Sequence, residues 1–152
     1  MQMDTVDVRL LNLLQEDAKI THKQLSLQLN LSATAIYERI KKMERAGVIE
    51  KYTALLNRKL LGRELMVFTH VRLVRHSQEN IADFEREIAL IHEINECYHI
   101  SGDYDYILKM TFHDMDDYRE FMLKKLTTIP SIGNTHSIFV INEVKNETAY
   151  VL

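Results

Sequence analysis

Asp103 and Asp105 stand either side of Tyr104, directly after Gly102, in the stretch HISGDYDYILKM. Carboxylates at that spacing can hold a hard cation, share a proton as a catalytic pair, grip an ammonium group, or brace a glycine turn. A calcium loop fits poorly, because DYDYILKMTFHD lacks the closing glutamate such loops use. A catalytic pair lacks an accompanying nucleophile, glycine-rich phosphate cradle or paired base. The hairpin turn and a sensor loop remain, and one loop can be both. The seven histidines (His22, His70, His76, His92, His99, His113, His136) include no i,i+4 pair on one helix and no other ligand spacing. No metal and no other cofactor is therefore expected. Cys97 is the only cysteine, which excludes an intramolecular disulfide and a thiolate cluster; it is expected as a small buried apolar residue.

A second group of chemically competent residues lies in LSATAIYERIKKMERAGVI. Ile36, Ile40 and Met43 recur at helical spacing and form an apolar stripe. Thr34, Ala35, Tyr37, Glu38, Lys41, Lys42 and Arg45 point away from it, with Arg39 at its edge. Hydroxyls and arginine can read base edges, lysines can anchor phosphates, and the free amides behind Ser32 favour an anion. On this reading, replacing Arg39 or Lys42 weakens DNA binding without unfolding the domain. The charge distribution agrees. Residues 1–60 carry ten Lys/Arg against seven Asp/Glu, a net +3, whereas the other 92 residues carry nine against fifteen, a net −6. A basic module can meet phosphate while an acidic one stays clear of it.

These residues need elements to position them. Asp4 can cap a first helix carrying Val6, Leu10, Leu11 and Leu14 on one face. Thr21 can cap the short helix HKQLSLQL, and Ser32 a third, ATAIYERIKKMERA, which ends at Gly47 in a left-handed cap. A short helix, a tight turn and a longer basic helix make a helix-turn-helix, with VIEKYTALL reading as a closing wing strand. From Leu65 the pattern becomes strand (LMVFTHVRLV), helix (QENIADFEREIALI, capped by Ser77, with Ile81, Phe84, Ile88 and Ile91 inward) and strand (INECYHIS). After Gly102 come strand (DYILKMTF), helix (DMDDYREFMLKKL, capped by Asp114) and strand (Thr135 to Glu143). That order is βαββαβ, the ferredoxin-like arrangement. Its two helices cover one sheet face. Val67, Val71, Ile107 and Ile138, or their alternates, would leave an apolar second face, for which self-association is the expected cover.

The expected fold class is thus α+β: an N-terminal winged helix-turn-helix domain (1–52), a linker strand or hinge (53–64), and a C-terminal ferredoxin-like oligomerisation domain (65–152). No apolar run approaches the roughly 18 residues a membrane helix needs, and MQMDTVDVRLL lacks a cationic signal start. No membrane partner is expected, and the expected location is cytoplasmic.

LLNLLQEDAKITHKQLSLQLNLSATAIYERIKKMERAGVIEKYTALL followed by GDYDYILKM and NEVK resembles the Lrp/AsnC family of feast/famine transcription regulators, over about residues 4–150. Ala33 departs from the pattern, since many relatives carry proline there. The resemblance implies a sequence-specific, non-enzymatic regulator of transcription that binds double-stranded DNA. It also implies homodimers through the ferredoxin-like domain, often assembled into octamers (tetramers of dimers), and an amino acid or related small metabolite bound between dimers. Carried over, Ser101, Gly102, Asp103, Tyr104 and Asp105 would line that effector site, with Asn134, Thr135 and Ser137 contributed from the loop after Pro130 and His136 close by. Chemically, Asp105 is expected to hold the effector's ammonium, and turn amides or hydroxyls its carboxylate. The alternative is a tetrapyrrole (sirohaem-type) decarboxylase on the same architecture, which would not need the basic reading helix.

Overall fold

The computed structural model describes residues 2–152 and resolves two compact units. One takes the chain up to Leu55 together with Lys145–Leu152; the other is Leu56–Val144. The last eight residues group with the helical unit. Gln15 explains part of this: its side-chain amide donates to the Tyr150 carbonyl (3.1 Å) and accepts from the Tyr150 N–H (2.7 Å).

The helical unit holds α1 (Thr5–Glu16), α2 (His22–Leu29) and α3 (Ala33–Arg45). Each start is fixed by a short polar side chain that satisfies free helical amides. Asp4 and Thr21 form reciprocal capping boxes with Asp7 and Gln24, and the Ser32 hydroxyl accepts from the Ala35 N–H at 3.1 Å. α2 ends on Asn30 in the left-handed region, φ 53°, and the turn after it delivers the chain straight to the Ser32 cap. α3 closes with Gly47 at φ 71°, where the Val48 N–H returns to the Met43 carbonyl at 3.0 Å. Leu10, Leu25, Ile36 and Met43 are fully buried and form the core of this unit with Leu11, Leu29 and Ile40.

The expected wing strand does not form within one chain. Residues 50–57 run without regular structure. Strands exist by pairing, and among the described residues the sheet has four members, all in the other unit.

That unit contains β1 (Leu65–Leu73), α4 (Gln78–Ala89), β2 (Ile94–His99), β3 (Tyr106–Phe112), α5 (Met115–Lys124), a 3-10 turn (Leu126–Thr128) and β4 (Ile132–Phe139). The sheet is antiparallel with order β2-β3-β1-β4, as the βαββαβ pattern requires. Strand alternation sends Val67, Val71, Leu73, Tyr106, Leu108, Met110 and Phe112 to the helices, where they pack with Phe84, Ile88 and Phe121. Val67 and Val71 therefore cannot share the open face with Ile107 and Ile138. Their alternates Met66 and Phe68 do, because Ile107 pairs with His70 and Ile138 with Phe68. β4 starts three residues earlier and ends four earlier than expected, since β1 begins at Leu65 and offers no ladder beyond the Met66–Val140 bond (3.0 Å).

Cys97 also departs from expectation: it lies exposed on the edge strand β2. The protein packed around its sulfur, with Glu85 nearby, still pushes the thiol up to about 11, so it stays protonated at neutral pH.

Candidate functional site

Two groups of residues carry the chemistry, one in each unit. On α3, Thr34, Glu38, Lys42 and Arg45 are exposed along one side, and Ser32 and Ala35 lie at its N-terminal end. Lys42 makes no ion pair among the described residues. Lys41 and Tyr37 are occupied otherwise. The Lys41 ammonium pairs with Glu44 at 2.6 Å and stands 5.9 Å over the Tyr37 ring, while His22 packs edge-on against that ring at 5.8 Å. Tyr52 adds a hydrogen bond to Glu44 at 3.2 Å. Contact with Glu44 raises the Lys41 ammonium above its ordinary value and lowers Glu44.

Arg39 departs from the role the sequence suggested. Its guanidinium turns back to α1, reaching Asp4 at 2.8 Å and Asp7 at 2.6 Å. Asp7 is buried, so this is an anchor between α3 and the start of α1 rather than a free cation on the reading side. Hydrogen bonds from Arg39 and burial of Asp7 form a single unit with the Asp4 cap. A capping aspartate followed three residues later by another acid was the sequence signal for it.

In the sheet unit, the GDYD turn joins the end of β2 to the start of β3. Gly102 takes φ 117°, a conformation glycine adopts without strain, and the Ile100 N–H closes the loop on the Asp105 carbonyl at 2.8 Å. The Asp105 N–H donates to Val71 at 2.9 Å. Its carboxylate is spent internally, accepting from the Leu73 N–H at 2.7 Å and meeting His76 Nε2 at 2.5 Å. Burial pushes the Asp105 carboxyl upward, but the Leu73 amide and His76 outweigh it, and the group ends below the usual carboxylate range. This leaves Asp105 poorly placed to hold an ammonium from outside.

Asp103 is the opposite case. It is exposed, and its carboxylate has no hydrogen-bond or ion-pair partner among the described residues. Arg72, which sequence reasoning missed, clasps the Asp103 backbone carbonyl (Nε to O 2.8 Å) and lies 5.3 Å over the Tyr104 ring. Tyr104 in turn contacts His70 at 5.1 Å and His136 at 6.2 Å between ring centroids. Asn134 sits opposite Arg72 in the β1–β4 ladder and so belongs to the same face.

Thr135 and Ser137 lie on the other face, toward the helices, because they pair with Val71 and Thr69. The Ser137 hydroxyl bonds Thr69 Oγ1 at 2.8 Å and accepts from Tyr118 OH at 2.7 Å. The structure therefore brings Ser101, Gly102, Asp103, Tyr104 and Asn134 to one end of the open face, keeps Asp105 as their brace, and separates Thr135 and Ser137 from them. Strand periodicity held this signal: Asn134 and Thr135 are adjacent on one strand and must face opposite ways.

Comparison with known proteins matches both units. Residues 3–50 fit a winged helix-turn-helix DNA-binding family, and residues 66–150 fit the Lrp/AsnC ligand binding domain. The chain is 39% identical over 150 residues to the leucine-responsive regulatory protein of Haemophilus influenzae, covering 99% of this chain and 90% of that one. The Escherichia coli leucine-responsive regulatory protein is 37% identical, with 99% and 92% covered. Among solved structures, a transcriptional regulator of Neisseria meningitidis in complex with L-Met superimposes with a TM-score of 0.94 at 29% identity, covering 99% and 97%. An AsnC family regulator of Agrobacterium tumefaciens gives 0.92 at 32%, covering 98% and 97%. These relatives are named as regulators, not enzymes, and the tetrapyrrole-decarboxylase alternative finds no support in them. A helix-turn-helix unit, a braced acidic turn on an antiparallel sheet, and matches along the whole chain lead to one conclusion: this protein belongs to the Lrp/AsnC family of DNA-binding transcriptional regulators.

Proposed function

We propose that the protein is a cytoplasmic regulator whose α3 reads duplex DNA through Thr34, Ala35, Glu38 and Lys42, with Ser32 amides and Arg45 on phosphate. Its assembly responds to an α-amino acid held at the GDYD turn. Asp103 takes the ammonium, turn amides at Ser101 to Tyr104 take the carboxylate, and Tyr104 and Asn134 border the ligand. The observation that carries this reading is the pairing of one spent carboxylate, Asp105, with one free carboxylate, Asp103, on a turn already clamped by Arg72. Preorganisation of that kind lowers the ordering cost of binding.

The relatives named as leucine-responsive and the neighbour holding L-Met support an aliphatic or thioether side chain on the effector. The open sheet face supports pairing of two copies, and further assembly to an octamer would place turns of neighbouring dimers together. Control would then follow from differential affinity of the effector for two assembly states.

A thermal-shift screen of the twenty amino acids on the full chain tests this. An effector at about 100 times its dissociation constant adds ~2.7 kcal/mol, and the shift should vanish in Asp103→Ala. A full shift in that variant would move the ammonium holder elsewhere.

A further inference from the structure

The sheet unit contains a cleft at the opposite end of β3 from the GDYD turn. It is bounded by the segment 56–63, the β2–β3 edge and α5, and has a volume of about 570 Å³. That falls within the range of small-molecule sites, roughly 300–1,000 Å³. The turn meets β3 at Tyr106 and the cleft meets it at Phe112, so the length of that strand separates the two places.

The charges around the cleft are mostly matched. Lys124 pairs with Glu120 at 2.6 Å, and Lys125 pairs with Glu93. Arg58 is consumed by the carbonyls of Arg63 (3.1 Å) and Glu64 (2.6 Å), with Glu143 at 3.9 Å. Arg63 is the exception among these cations. Its guanidinium makes one long bond, 3.5 Å to the Thr111 carbonyl, and has no carboxylate within ion-pair distance among the described residues. Leu56 and Leu61 line the same cleft and are 72% and 60% exposed.

An unneutralised guanidinium in one cleft with two exposed leucines matches a ligand with one anionic head and an apolar body. We infer that this cleft binds a small amphiphilic monoanion, its carboxylate forked on Arg63 and its hydrocarbon part against Leu56 and Leu61. A planar guanidinium grips a carboxylate through two parallel N–H···O bonds, and the apolar contact removes leucine surface from water. Asp117 on the same walls, a carboxylate with no ion pair among the described residues, sets the charge limit, because Arg63 is the one cation there left unpaired and a polyanion would carry charge beyond it. This inference is independent of the effector reading, which concerns the other end of the sheet.

Octanoate is a suitable probe, titrated calorimetrically into the full chain. One saturable site per chain is expected, with affinity falling about tenfold or more in Arg63→Gln and also falling in Leu61→Ser. Melting of Arg63→Gln should match the parent, since the residue makes only that single long bond. Asp103→Ala should leave octanoate binding unchanged, and pyrophosphate should not displace it. Octanoate affinity unaltered in Arg63→Gln, absence of saturable heat at about 1 mM, or loss of binding in Asp103→Ala would each overturn the assignment.

Discussion

Asp103 and Asp105 look equivalent as letters and are opposite in physics. Asp105 holds the Leu73 amide and His76 with a side chain only 13% exposed, so it stabilises the fold. Its carboxyl lies below its ordinary value, so its contribution is present above about pH 4 and is lost as pH falls through the depressed value. Asp105→Asn should cost about 1–2 kcal/mol at neutral pH. The gap between variant and parent melting temperatures should narrow in acid; a gap that widens below pH 4 would contradict the sign. Asp103→Ala should leave the melting temperature unchanged while removing the effector shift. Arg39 obeys the same logic. Removing it strands the buried Asp7 carboxylate, and Arg39→Ala should lose about 1–3 kcal/mol in denaturant titration. A variant as stable as the parent would show that Asp7 finds another partner.

At the scale of elements, what the chain states locally is what could be read from it. Asp4, Thr21, Ser32, Ser77 and Asp114 all accept amide hydrogen bonds at helix starts, because capping depends on residues only two or three positions away. Three features escaped for one shared reason, their dependence on partners distant in sequence. The end of β4 is set by where β1 begins, the missing wing strand by the lack of a neighbour, and the split between Asn134 and Ser137 by ladder register. Arg39 belongs with them, since its acidic partners lie more than thirty positions away on α1. For α3 the consequence is a sharper prediction about Lys42, which is exposed and outside any ion pair among the described residues. Lys42→Ala should keep the parent melting curve and reduce the slope of log K against log salt by about 0.9, the loss of one phosphate contact. An unchanged slope in a gel-shift series would remove Lys42 from the DNA interface.

For the molecule as a whole, the first sixty residues carry a net +3 and the remainder a net −6, but Arg58 and Lys59 belong to the sheet unit, so phosphate contact rests on the cations gathered on α3 rather than on the net charge of the helical unit. The sheet's open face is the surface proposed for pairing of two copies. Ile138 is 46% and Tyr98 53% exposed there, beside Phe68 and Ile107, while the opposite face is closed by α4 and α5. A two-fold contact through that face would give two reading heads, which would suit half-sites about 34 Å apart or a multiple of it. Ile138→Lys tests this directly, because the residue points away from the core and its change should not disturb the chain's own folding. Sedimentation should then report a single-chain mass, with the melting curve of the helical unit retained. Affinity for a duplex carrying two half-sites should drop by about a hundredfold or more, the advantage of tethered binding, while affinity for one half-site stays constant. An Ile138→Lys protein that keeps the parent mass would place the pairing surface elsewhere, and equal losses on one and two half-sites would mean that the reading helix, not the pairing, had been damaged.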